Sequence, residues 1–312
     1  MKRFKRIILP LFKTNRGKPR FLNRFLLLST NEVFIHRWIS KNLEKNDVVL
    51  DIGANMFPYT HYQNVKAIFG IDLPTESEGY LGWTDEKLGK ILKQTNLFPI
   101  WSNCEEIPFE DNSFDKIIMT EVLEHIERDE LAISEIARVL NKYGKLFITT
   151  PNGKEVEKTN PYHLRHYRVP DLKVLLEKYF QKIDIQLKFP NHDLFVKQHL
   201  PKNKYLPKRL FWRYIYEIWY LIYGNKHHNG GYIIAATCSY PKDKSSREPV
   251  TSHYLDIVVC PNCKGKLKER SDKHMKHQVL LCGHCGVSYP LRKGIPFLLT
   301  AIPHHQAGPP LI

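Results

Sequence analysis

Two rhythms of apolar and polar positions run along this chain. Short apolar runs end in an acid, a glycine or a threonine, and between them lie stretches with apolar residues three and four apart. Val48-Val49-Leu50 leads into Asp51-Ile52-Gly53, which reads as a buried strand entering a tight turn. Residues 67–71 form a second run ending in Asp72, and 97–101 and 117–120 a third and a fourth. Residues 145–149, 183–189 and 231–238 read as three more strands. Ile133, Ile136, Ala137 and Leu140 form a helical stripe, and Tyr143-Gly144 is expected to stop that helix. A helix of about three turns is expected before the first strand. Ser29-Thr30-Asn31-Glu32 fits a capping box there, and Ile35, Trp38, Ile39 and Leu43 follow. A weaker helix is expected over 85–94 and a short one over 170–179. Strands alternating with helices predict an α/β protein with a doubly wound, mostly parallel sheet of seven strands.

Chemistry concentrates at the strand ends. Asp72 lies 21 positions after Asp51. In nucleotide-binding α/β sheets an acid about 20 residues past the glycine turn bonds a ribose, and a carboxylate can accept from both hydroxyls. The ordinary alternative is a strand, turn, helix and strand with incidental acids. The block Val49-Leu50-Asp51-Ile52-Gly53-Ala54-Asn55, with Asp72 after it, resembles the first two motifs of class I S-adenosylmethionine-dependent methyltransferases. Asn55 departs from that family's second glycine. Asn tolerates left-handed backbone better than other non-glycine residues. Pro58-Tyr59 is similar to a subgroup found with surface-polysaccharide genes. Residues 103–115, Asn-Cys-Glu-Glu-Ile-Pro-Phe-Glu-Asp-Asn-Ser-Phe-Asp, resemble the adenine-side segment of small-molecule methyltransferases, with Asn103 where the family has an acid. Glu121-Val122-Leu123-Glu124-His125-Ile126 looks like the family's motif after the fourth strand.

The resemblance implies S-adenosylmethionine as cofactor, with the sheet in the Rossmann-like methyltransferase arrangement. It implies Asp51, Gly53 and Asn55 at the methionine pocket and Asp72 with Leu73 at the ribose. Asn103 and Cys104 would frame the adenine, and Glu121 would lie beside the methionine. His125 follows the fourth strand by a few residues, where it is either a general base or a structural loop residue. Thr150-Pro151-Asn152 and Pro161-Tyr162-His163 resemble loops over the acceptor in sugar- and quinone-type O-methyltransferases. That makes His163 and His166 further candidates to act as base or to bind the acceptor, against the plain reading of polar loop residues.

Six cysteines occur in 312 residues. Cys260-Pro261-Asn262-Cys263 and Cys282-Gly283-His284-Cys285 have the spacing of a four-thiolate zinc ribbon, a closed structural site. Cys104 and Cys238 are expected to be buried thiols. The segment 255–299 resembles small zinc-ribbon proteins that partner and activate tRNA and translation-factor methyltransferases. Lys293 departs from the Asp that usually precedes Gly-Ile-Pro there. In that family the module stabilises or regulates and does not catalyse.

The length suits about two domains. The expected divisions are a basic extension over 1–28, a methyltransferase domain over 29–240 with an aromatic insertion at 191–229, a linker at 241–252, the ribbon at 253–300 and a tail at 301–312. Formal net charge is +15, unevenly placed: residues 1–47 carry twelve Lys/Arg and three Asp/Glu, and 48–158 eleven against nineteen. Basic flanks suit an anionic partner or plain solubility. Residues 1–28 and the aromatic run 208–223 suit either packing on the domain or contact with a membrane surface. The expected location is the cytoplasm, with peripheral contact at the inner face of the membrane. The expected activity is O-methylation of a saccharide or lipid-linked small-molecule acceptor. RNA methylation, or a non-catalytic scaffold with a decayed cofactor turn, are the alternatives.

Overall fold

Strand β1 (Val48–Ile52) is buried on both faces, so its sequence is apolar without alternation. Parallel neighbours flank it: β2 (Ala67–Asp72) on one side and β4 (Phe114–Thr120) on the other. Strand β3 (Leu97–Ser102) extends the sheet beyond β2, and β5 (Leu140–Pro151) extends it beyond β4. Two antiparallel strands finish that side, β7 (Ile233–Pro241) on β5 and β6 (Phe180–Lys188) on β7. The order β6-β7-β5-β4-β1-β2-β3 is the expected mostly parallel seven-stranded sheet. This computed structural model describes residues 35, 38–54, 65–74, 96–153, 162–188, 233–243, 256–272, 277–292 and 294–300. Asn55, Pro58-Tyr59, the capping box at 29–32, the helix expected at 85–94, the insertion at 191–229, residues 1–28 and the tail lie outside them. Among the described residues no helix is long and apolar enough to cross a membrane.

The two faces of the parallel strands feed two cores. Leu50, Ile52, Phe69, Ile71, Ile117, Met119, Leu146 and Ile148 point into one. Val49, Ile68, Ile118 and Phe147 point into the other, beneath Ile35 and Ile39 from the segment before β1. Helix α1 (Asp129–Val139) lays Ala132, Ile133, Ile136 and Ala137 on the first core, and α2 (Val169–Glu177) adds Leu172, Leu175 and Leu176. The loop after β3 is pulled in by aromatic burial. Phe109 and Phe114 meet edge to face at 4.8 Å, and both pack on Phe69.

Helix α1 stops earlier than its pattern suggested. It ends at Val139, and Leu140 is already extended and opposite Phe114 in the sheet. Gly144 is therefore no helix stop. It lies inside β5, where a Cβ would sit 2.6 Å from Leu140 Cδ1 and 3.0 Å from the Asp115 carbonyl oxygen. The glycine serves close strand approach.

The cysteine-bearing module continues the same sheet. Its strands β8 (Leu267–Asp272), β9 (His277–Cys282), β10 (Ser288–Arg292) and β11 (Ile295–Leu298) pair antiparallel in sequence. Strand β11 then pairs parallel with β3, Phe297 against Trp101 and Leu298 against Ser102, giving eleven strands in one sheet. Antiparallel contacts hold the loop after β3 as well. Glu110 N donates to Ile257 O at 2.9 Å, and Val259 N to Pro108 O at 2.9 Å. Buried Ile257, Val258 and Val259 line this seam.

A polar knot locks the seam. Arg138 donates to the carbonyls of Ile107 and Phe109 and to Glu135 and Asp111. Lys264, from the module, reaches Ile107 O at 3.2 Å and Glu135 at 2.9 Å. Replacing Arg138 by Met would remove the Phe109 carbonyl's donor and leave Ile107 O and the mostly buried Glu135 to Lys264 alone. We expect a loss of about 2–3 kcal/mol in urea unfolding, with the loop around Phe109 gaining hydrogen exchange.

Candidate functional site

The carboxyl ends of β1, β2, β4 and β5 converge on one edge of the sheet. Asp51 lies at the end of β1 and is 1% exposed; Asp72 ends β2 and is also buried. Leu73 N donates to Asp72 Oδ1 at 2.8 Å, leaving Asp72 Oδ2 without a partner. Asp51 Oδ2 is likewise buried and unpartnered. Burial pushes the Asp72 carboxyl up to about 7. Burial, and then the nearby Asp72, raise that of Asp51 well above the carboxylate range. Buried polar atoms are normally satisfied, and these two oxygens are exceptions.

Between the two acids the chain turns at Gly53. Its φ is +72°, and a Cβ there would lie 2.4 Å from Val122 Cγ2. Only glycine meets both conditions. Gly53 N and Ala54 N both donate to Ile71 O, which ties the turn to β2.

Glu121 follows β4 with φ +54°, a strained value for a non-glycine residue. Its backbone N donates to Thr149 O, and its Oε1 is buried without a partner. Burial pushes this carboxyl up to about 7. Asn103 and Cys104 open the loop after β3. Asn103 Oδ1 accepts from Glu105 N at 3.0 Å and so caps a 3-10 turn at Cys104–Glu106. Burial pushes the Cys104 thiol up to about 12, which makes it an unreactive packing group. Glu105 beneath it takes two bonds from Arg128, and these fix the loop to the start of α1.

Beside this edge stands a cluster that the sequence reading only half identified. A 3-10 turn at Leu123–His125 buries Glu124, which is 1% exposed and accepts from Thr150 Oγ1 at 3.0 Å. The segment after β5 folds back over it. Leu164 N donates to Glu124 O, and Arg165 joins Asp129 at 2.6 Å. Tyr167 hydroxyl also bonds Asp129. This return brings His163 to His125, ring centroids 4.8 Å apart, and His166 to His163 at 3.0 Å between Nε2 and Nδ1. His125 Nδ1 lies 2.9 Å from Tyr162 O. A carbonyl only accepts, so Nδ1 carries the proton and Nε2 the lone pair. Burial lowers both imidazole pKa values, His163 to about 4, with His125 and His166 adding to the second. Glu124 was not singled out from sequence. Its only signal was its place in the motif after β4.

The four remaining cysteines gather as their spacing implied. Cys260 and Cys285 lie 3.7 Å apart at sulfur, and Cys263 and Cys282 3.5 Å apart. A tetrahedral zinc with bonds near 2.3 Å sets its sulfurs about 3.8 Å apart, so this donor set fits the ion. Gly265 completes the cradle. A Cβ there would meet Cys282 Sγ at 3.1 Å and Cys263 Sγ at 3.3 Å.

Residues 50–148 match the family model for a methyltransferase domain, and residues 254–294 that for Trm112p-like proteins. A protein of Mycobacterium tuberculosis described as a probable S-adenosylmethionine-dependent methyltransferase is 33% identical over 81 residues, 24% of this chain and 29% of that one. The chain thus spans under a third of the length of that methyltransferase relative. A UPF0434 protein of Stutzerimonas stutzeri is 47% identical over 47 residues, 15% of this chain and 70% of that one. Among solved structures, a complex containing the Haloferax volcanii Trm112 methyltransferase activator aligns at a TM-score of 0.45 and 12% identity. The match covers 67% of this chain and 90% of the other.

Gly53→Ala should be felt directly, since it meets both a positive φ and Val122. We expect destabilisation of about 1–3 kcal/mol by chemical denaturation, partly relieved in the double variant Gly53→Ala/Val122→Ala.

Proposed function

With a methyltransferase domain over residues 50–148 and a C-terminal module that belongs to the Trm112p-like family, the chain is, we propose, an S-adenosylmethionine-dependent methyltransferase acting on an oxygen of a saccharide or lipid-linked small molecule. The observation that carries this reading is the pair of buried, unpartnered carboxylate oxygens on Asp51 and Asp72, set either side of the Gly53 turn. Asp72, with Leu73 beside it, takes the ribose hydroxyls. Asp51, Gly53 and Glu121 surround the methionine end, where two acids favour its ammonium and sulfonium charges. Asn103 and Cys104 border the adenine; Asn103 Oδ1 keeps a second lone pair beyond its cap bond. S-adenosylmethionine supplies a methyl group already activated by the sulfonium. What remains for this chain is to position the acceptor and exclude water.

His125 and His163 are the groups we assign to the acceptor's hydroxyl. Their half-buried place beside the strand ends supports that assignment. The fused module is assigned a stabilising part in cis. It braces the loop that carries Asn103 and Cys104 through the bonds at Pro108, Glu110 and Ile107. Peripheral contact with a membrane through residues 1–28 and 208–223 would suit a lipid-linked acceptor.

Two measurements test the reading. Calorimetry should give micromolar binding of S-adenosylmethionine, weakened about tenfold or more by Asp72→Ala through loss of a charged hydrogen bond. A folded protein that binds none would reject it. Methyl transfer from labelled cofactor into cell extract should label a glycan or lipid-linked fraction; label in RNA alone would overturn the acceptor class.

Titration of Asp72 gives a further check. Its ordinary value is 3.8 and its folded value about 7. Between those values the unfolded chain is ionised while the folded one holds the proton. Stability of the ligand-free protein should therefore fall as pH rises through that window and level off above it. Asp72→Asn should flatten this part of the curve in denaturation at pH 5 and 7.5.

A further inference from the structure

The histidine cluster has more donors than a single proton transfer needs. One ligand atom from each of Glu124, His125 and His163 lies within 4.8 Å of the others. Two of them are held as metal ligands are commonly held. His125 donates Nδ1–H to the Tyr162 carbonyl, which fixes the ring and leaves Nε2 as the donor. Thr150 fixes one oxygen of Glu124. Such outer bonds set the tautomer and direction of a ligand. His163 adds a third donor at Nε2 when its Nδ1–H is given to His166 Nε2.

The neighbouring acids point the same way. Glu124 is buried, and Glu121 stands three residues before it with a covered oxygen that has no partner. Among the described residues the ion pairs involve neither of them. Two acids beside three imidazoles bring oxygen and nitrogen donors together at one place.

We propose that Glu124, His125 and His163 bind a divalent first-row cation, distinct from the ribbon's zinc, which holds the acceptor's hydroxyl oxygen. Mixed nitrogen and oxygen donors suit Mn2+, Fe2+ or Zn2+ better than Mg2+. Bonds of about 2.1 Å place donors about 3–4 Å apart, a little inside the 4.8 Å within which these three donors lie. Three protein ligands leave positions open, as catalytic sites do and structural ones do not. A hydroxyl bound there acidifies: its O–H bond breaks, the proton passes to water, and the electron pair stays on the oxygen. The proposal rests on the methyl-transfer reading for its purpose, but not for its existence. The cation would act from the turn after β4, whose Val122 touches the Gly53 turn.

The test uses the full chain loaded with one zinc per molecule, so that the four thiolates are filled. Mn2+ is the probe, followed by loss of its free paramagnetic resonance signal. We expect about one Mn2+ per chain. Glu124→Gln, which keeps the Thr150 bond, and His163→Ala should each weaken uptake tenfold or more while the melting profile holds. His125→Gln should do the same. No uptake by the zinc-loaded protein, or uptake unchanged in Glu124→Gln and His163→Ala, overturns the proposal. Normal uptake without S-adenosylmethionine binding upholds the cation site and overturns the methyl-transfer reading instead.

Discussion

The loop after β3 is the constraint on which the rest depends. It would be an irregular surface segment but for what grips it. Phe109 and Phe114 pull it into the core against Phe69. Arg138 collects its carbonyls from one side. The cysteine module pairs with it from the other, through Val258 opposite Phe109. Its first residues, Asn103 and Cys104, thereby reach the carboxyl edge of the sheet in a fixed position. A loop held by aromatic burial, an arginine fork and a second domain loses little further entropy on binding a ligand, which is how preorganised sites are made.

Against this rigid frame the edge itself is electrostatically unsettled. Asp51, Asp72, Glu121 and Glu124 are acids whose pKa values burial raises. Packing acids together with empty lone pairs costs stability, and proteins tolerate this where a ligand later supplies the missing partner. The cost is localised. At the opposite end of the strands the acids are fully engaged, Asp47 with Lys116 at 3.0 Å and Asp115 with Val48 N and Asn141. Among the described residues one end of the sheet has its acids bonded, and at the other Asp51, Asp72 and Glu121 each keep a buried oxygen without a partner.

The strand ends were legible because their signals are local. Asp51, Gly53 and Asp72 sit where an apolar run stops, and the two Cys-x-x-Cys pairs declare themselves by spacing. Contacts set by distant partners were harder to read. The early end of α1 depends on Leu140 joining Phe114, and the purpose of Gly144 on the Asp115 carbonyl facing it. Asn103 looked like a ligand group, but it also caps its own turn. The meeting of His125 with His163 needs residues after β5 to return over Glu124, a path fixed by Arg165, Tyr167 and Asp129 together. The parallel pairing of β11 with β3 had no sequence signal at all. The two strands carry ordinary apolar patterns nearly two hundred residues apart.

That pairing changes what the molecule presents to its neighbours. A bare β3 would be an apolar edge, Leu-Phe-Pro-Ile-Trp-Ser, open to adventitious strands. Tethering its cover on the same chain gives an effective concentration that dilution cannot lower. Among the described residues the outermost strands are then β8, with Lys268, Glu269 and Arg270, and at the far side β6, with Lys182 and Asp184. Both outer strands are thus studded with charge. An eleven-stranded sheet that would otherwise invite fibrous stacking ends on two margins that repel it.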